Sequence, residues 1–146
     1  MAGEAKYVYG SQLTLEDSGG SAAAAAMVDA NAASFNSANS SMYPLADFVL
    51  YCSFGAAVAA TTVDLFRQDL DIDSTNDALA PTASTYEQTY VGSFVIKSGQ
   101  SAAAYYPLTN VPLSANCQFS IKNSTAQSLA AGWVLKATPK SLVPGA

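Results

Sequence analysis

Trp133-Val134-Leu135-Lys136-Ala137-Thr138 alternates apolar residues with a second, more polar set, and Cys117-Gln118-Phe119-Ser120-Ile121-Lys122 does the same. A period of two sends successive side chains to opposite faces of a strand, so Trp133, Leu135 and Ala137 share one face and Cys117, Phe119 and Ile121 another. Residues 86–96 carry the same signature, which predicts Tyr86, Gln88, Tyr90, Gly92, Phe94 and Ile96 pointing inward. Outward from these, residues 48–54 form a short continuous apolar run, and residues 61–70 are rich in β-branched and aromatic types.

Turn clusters separate the runs: Lys97-Ser98-Gly99, Thr109-Asn110-Val111-Pro112, Asn123-Ser124-Thr125 and Ala130-Ala131-Gly132. Short strands punctuated in this way predict an all-β antiparallel sandwich, with Phe48, Leu50, Leu65, Tyr90, Phe94, Phe119, Ile121, Trp133 and Leu135 in its core. The 146 residues suit one domain, divided by composition into an N-terminal strand or arm region, 1–42, and a sandwich body, 43–146. Within the first zone an Ala/Ser/Asn-rich tract follows Gly19-Gly20. Residues 22–33 have helix propensity, but an isolated helix of that length is marginal. An arm that orders against a partner, hinged at the two glycines and anchored by Tyr7, Tyr9 and Phe35, is the economical reading; ordinary strands of the same domain are the alternative.

Composition narrows the chemistry. The chain has no histidine, 6 Lys+Arg and 12% charged residues, where about 25% is usual. Histidine-based triads and histidine metal sites are therefore excluded, and no lysine has a serine three residues before it. No cofactor motif and no catalytic residue is found, so no enzymatic activity is expected. The net charge of −5 and the scattered cations argue against direct nucleic-acid binding. No run approaches a membrane-spanning length and no secretory leader is recognisable, which predicts synthesis in a cytoplasm without membrane association.

Cys52 and Cys117 lie among apolar neighbours and are expected as buried thiols. Asp69, Asp71 and Asp73 are the weak metal candidates: at period two they would share one side of a strand, where Ca²⁺ would relieve their repulsion. The EF-hand template fails, with Ser74 in place of its glycine and Ala80 in place of its final glutamate. Tyr105-Tyr106 beside Pro107 offers a stacking edge for sugars, the basis of a lectin-like alternative.

The stretches Tyr43-Pro44-Leu45-Ala46-Asp47-Phe48-Val49-Leu50, Val63-Asp64-Leu65-Phe66, residues 71–78, Tyr90-Val91-Gly92-Ser93-Phe94, Val111-Pro112-Leu113 and residues 128–139 together resemble a family of small virion proteins of tailed bacteriophages. That resemblance implies a jelly-roll-like sandwich on the capsid exterior: a head decoration, or cement, protein that is a homo-oligomer, with a trimer favoured, and binds the major capsid protein. A tail or fibre component would carry the same motifs. The family supplies no catalytic residue.

Overall fold

The computed structural model describes residues 4–36, 43–82 and 89–144. Among the described residues nine strands form: β1 (Lys6–Tyr9), β2 (Leu13–Gly19), β3 (Met27–Asp29), β4 (Leu45–Cys52), β5 (Thr61–Asp69), β6 (Tyr90–Ile96), β7 (Ala104–Pro112), β8 (Cys117–Asn123) and β9 (Trp133–Val143). One sheet has the order β1-β9-β4-β7, with β2 also on β9, and the other the order β3-β8-β5-β6. All pairings are antiparallel.

β1 and β2 are two halves of one edge strand. Tyr9 faces Lys140, the Gly10 N–H donates to the Pro139 carbonyl, and Leu13 faces Ala137, so the chain follows β9 along most of its length. With these halves counted together, the eight strands hop from sheet to sheet at every connection except β5 to β6. This is the double Greek key of a jelly roll.

Alternation decides which face each strand buries. Ala46, Phe48, Leu50 and Cys52 of β4 point inward, as do Trp133, Leu135 and Ala137 of β9, against Val63, Leu65, Phe94, Phe119 and Ile121 of the opposite sheet. Phe119 is at the centre, edge-on to both Phe35 and Phe48. Eight of the nine expected core residues are buried. Tyr90 is the exception at 51% exposed, because a bulge pairs Leu65 with Gly92 but Phe66 with Tyr90 and so reverses the faces beyond it. Tyr90 instead packs edge-on against Phe66, while Tyr86 and Gln88 lie outside the described residues.

Thr109-Asn110-Val111-Pro112, expected as a turn, is the end of β7. Asn110 takes a left-handed conformation (φ 61°) inside a bulge opposite Ala46 and Phe48, with its N–H on the Asp47 carboxylate at 2.9 Å. The turn chemistry is there, used to bend a strand.

The N-terminal zone, instead of standing off as an arm, closes the sandwich. Leu15, Ala22 and Phe35 are fully buried, and Phe35 exchanges both backbone hydrogen bonds with Cys117. The alanine tract forms no helix: Ala25 has positive φ (62°), and the chain then enters β3. Buried Asn123 holds this tract in place. Its amide donates to the carbonyls of Ala22, Ala23 and Gln127, and its side-chain oxygen accepts from the backbone and hydroxyl of Thr125.

Gly19 and Gly20 play different parts, neither of them a hinge. A Cβ on Gly19 would stand 1.9 Å from the Trp133 indole, whereas one on Gly20 would meet nothing within 4 Å. Trp133 Nε1 donates to the Gly20 carbonyl at 2.8 Å, so the ring lies along the end of β2. Gly19→Ala is expected to cost about 1–3 kcal/mol by overpacking, with Gly20→Ala neutral or slightly stabilising as the unfolded chain loses freedom. Trp133→Ala should cost about 3–5 kcal/mol. Thermal and denaturant unfolding of the three variants check this ranking.

Candidate functional site

The carboxylates singled out in the sequence do not converge. β5 ends at Asp69, and residues 70–77 turn away, with Asp71 (φ 52°) and Ser74 (φ 73°) in left-handed conformations. Asp69 is ion-paired to Arg67 at 2.8 Å and accepts from the Ser114 hydroxyl. Asp71 accepts from the Asn116 amide. Asp73 caps its own turn, accepting from the backbone N–H groups of Thr75 and Asn76 and from the Asn76 amide, which holds its carboxyl below the usual range. Period two required a straight strand, and the chain leaves the strand after its first member. Among the described residues, no group of three or more metal-ligating side chains comes together.

The three aromatic anchors separate likewise. Phe35 is a core residue, because its backbone bridge to Cys117 turns the ring onto Phe119. Tyr7 and Tyr9 stand on the outer face of the five-stranded sheet with ring centroids 6.3 Å apart. Beneath them, the Lys140 ammonium sits 4.5 Å from the Tyr7 centroid and 2.6 Å from Asp47 Oδ1. Lys140 is nearly fully buried, so this pair stiffens the junction of β1, β9 and β4.

At this end of the sheet β1 has all four residues exposed, and Leu142, opposite Tyr7, is 56% exposed. Tyr7, Tyr9 and Leu142 occupy one face of the ribbon and Val8 the other. A hydrogen-bonded ribbon with large apolar residues uncovered on both faces presents contact area without further ordering.

The opposite end of the same face is a shallow groove of about 260 Å³, lined by Val49, Tyr51, Tyr105, Val134 and Lys136. Cross-strand register assembles it: Tyr51 faces both Val134 and Tyr105, and Val49 faces both Lys136 and Pro107. The Tyr51 and Tyr105 rings lie 4.6 Å apart, inclined at 38°, and Tyr105 is 72% exposed. Tyr106 faces the other way and is 7% exposed, so the expected Tyr105-Tyr106 edge is split by the strand alternation. Its hydroxyl is buried without a hydrogen-bond partner among the described residues. Tyr51, Val134 and Lys136 were not legible as site residues; alternation gave their face, but only the register brings them together.

A second, larger groove lies between β5 and β6, lined by Arg67, Asp69, Leu79, Tyr90 and Pro112 among others. Its cation is committed to Asp69 and to the Pro112 carbonyl. Hydroxyls of Ser93 and Ser124 both donate to the Asp64 carboxylate. Cys52 and Cys117 are buried and unpaired, with burial pushing the Cys52 thiol up to about 12 and the Cys117 thiol up as well. Neither is a reactive thiolate at neutral pH.

Glu16 is buried on β2. Burial alone would raise its pKa, but its carboxylate accepts from the backbone N–H groups of Asn31, Ser18 and Asp17, and these outweigh it and lower the pKa below 4.5. No family model, curated protein or solved structure matches the chain.

Two outcomes follow from these buried polar groups. The stabilisation from Glu16 is complete above pH 4.5 and disappears as pH falls through its lowered folded pKa. Glu16→Gln should therefore be less stable at pH 7, and the gap to the parent chain should narrow with acidification in urea unfolding. Tyr106→Phe removes a hydroxyl buried without a partner, and should leave the melting temperature unchanged or raise it.

Proposed function

We propose that this chain is a structural protein of a tailed-phage particle, a head decoration protein that docks on the major capsid protein lattice. The observation that carries this reading is the uncovered ribbon of β1 and the end of β9, where Tyr7, Val8, Tyr9 and Leu142 project from paired strands. Interface cores favour aromatic residues and exclude charge, and this chain is poor in charge throughout. The jelly roll also serves viral capsid proteins, which is agreement at the level of fold alone.

The function is then mechanical. Each bound copy adds buried area between neighbouring capsid subunits and slows their separation, and no bond is made or broken. A preformed ribbon loses little conformational freedom on docking, which lowers the ordering cost that would otherwise offset its apolar burial. The particle-bound form is a homo-oligomer with closed symmetry, a trimer by the family resemblance.

Antibody against the chain should label particle heads in electron micrographs, and light scattering should give a trimer mass. Tyr7→Ser combined with Leu142→Ser should abolish head labelling in a complementation assay while the variant melts cooperatively. Label confined to tails, or full head binding by the folded double variant, overturns the proposal.

A further inference from the structure

The groove at the far end of the ribbon-bearing sheet has the makings of a binding site of its own. Two tyrosine rings in contact on adjacent strands line it together with Val49 and Val134, and the strands that carry them are held by sheet hydrogen bonds. The Tyr51 hydroxyl, the Tyr105 hydroxyl and the Lys136 ammonium have no hydrogen-bond or ion-pair partner among the described residues. Elsewhere on the same face, Lys140 is neutralised by Asp47 at 2.6 Å. Lys136 is thus an uncommitted cation beside a stacking platform.

Six of the eleven acidic residues belong to the other sheet. Asp29, Asp64, Asp69, Asp71, Asp73 and Asp77 belong to the β3-β8-β5-β6 sheet and its connections; on the groove's own sheet Asp47 is paired with Lys140, Glu16 of β2 is held by three backbone N–H groups, and Asp17 of β2 is exposed but does not line the groove. In a chain of net charge −5, this groove is lined by two tyrosines and a cation and, among the described residues, by no carboxylate.

We infer that the Val49, Tyr51, Tyr105, Val134 and Lys136 groove binds a carboxylate-bearing sugar unit of an acidic polysaccharide. The C–H face of a pyranose stacks on the electron-rich face of a tyrosine ring, and about 260 Å³ seats one such ring. A lysine donates up to three hydrogen bonds and accepts none, so it pairs with a carboxylate, while the two phenols serve the ring hydroxyls as donors or acceptors. The groove holds no carboxylate or amide side chain of the kind that selects neutral sugars. A nucleic acid strand, with a charge at every residue, is disfavoured by one cation on an acidic protein. This inference stands apart from capsid docking, since the ribbon and the groove lie at opposite ends of β9.

The test is calorimetric titration of the full chain with hexasaccharides of glucuronate, galacturonate, mannuronate and sialate, with cellohexaose and oligothymidylate as comparators. At least one acidic hexasaccharide should bind, with affinity falling roughly tenfold or more in Tyr105→Ala and in Lys136→Gln and retained in Lys136→Arg. Both positions are on the surface, and unchanged melting curves would establish that the variants fold. Binding should weaken with salt in the parent chain and lose that dependence in Lys136→Gln. No binding of any acidic hexasaccharide at millimolar concentration, equal or tighter binding of cellohexaose or oligothymidylate, or indifference to both substitutions would overturn the assignment.

Discussion

The contact between the Trp133 indole and the backbone of Gly19 holds this sandwich to one topology. The ring fills the volume a Cβ would need and hydrogen-bonds to the next carbonyl, so the N-terminal edge strand is attached to the central strand of its sheet. The Gly132 N–H donates back to the Gly19 carbonyl at 2.7 Å, closing the corner from the other side. Once β2 is placed there, Leu15 enters the core, and the chain can cross to the second sheet as β3. Without a residue lacking Cβ at this position, the largest core side chain and the edge strand would compete for the same space.

Crossing between sheets exposes backbone polar groups that no strand pairs, and two buried polar side chains meet that demand. Asn123 uses both amide protons and its oxygen on the alanine tract and the turn after β8. Glu16 gathers three N–H groups where β2 bulges. Each is buried and each is satisfied, as interior polar groups must be if they are not to cost stability. The alanine tract needs no large side chains, because its carbonyls are spoken for and its neighbours supply the apolar volume.

The outer surface of the β1-β9-β4-β7 sheet is divided along β9. At the end near the chain termini, Lys140 and Asp47 neutralise each other below a ribbon of tyrosine, valine and leucine. At the other, Lys136 remains available beside Tyr51 and Tyr105. A charge that is paired lets its surroundings behave as apolar surface suited to protein contact, while an unpaired one keeps a site receptive to anions. The same strand thus carries an apolar ribbon and a groove with a free cation about 20 Å apart, the length of six residues at the strand rise.

Legibility followed the range of the interactions. Strand patterning is local, and alternation together with short apolar and β-branched runs located most of the strands, eight of the nine named core residues and the all-β class. It misplaced Tyr90 because a bulge at Val91 in its own strand resets the face, and it read Thr109-Asn110-Val111-Pro112 as a turn because bulges use the same residues. It read residues 1–42 as an arm because small side chains look unable to bury area, although Phe35, Leu15 and Ala22 bury theirs against partners about 80 to more than 100 residues away. By itself, then, the sequence determined the strand class, the inward faces of β8 and β9, and the absence of histidine chemistry, since these depend on residue type and local period. Only the tertiary structure decided that Asp69, Asp71 and Asp73 diverge, that Tyr105 and Tyr106 part company, and that Tyr51 meets Lys136 in a groove, because cross-strand register is fixed by packing between distant segments and no local period encodes it.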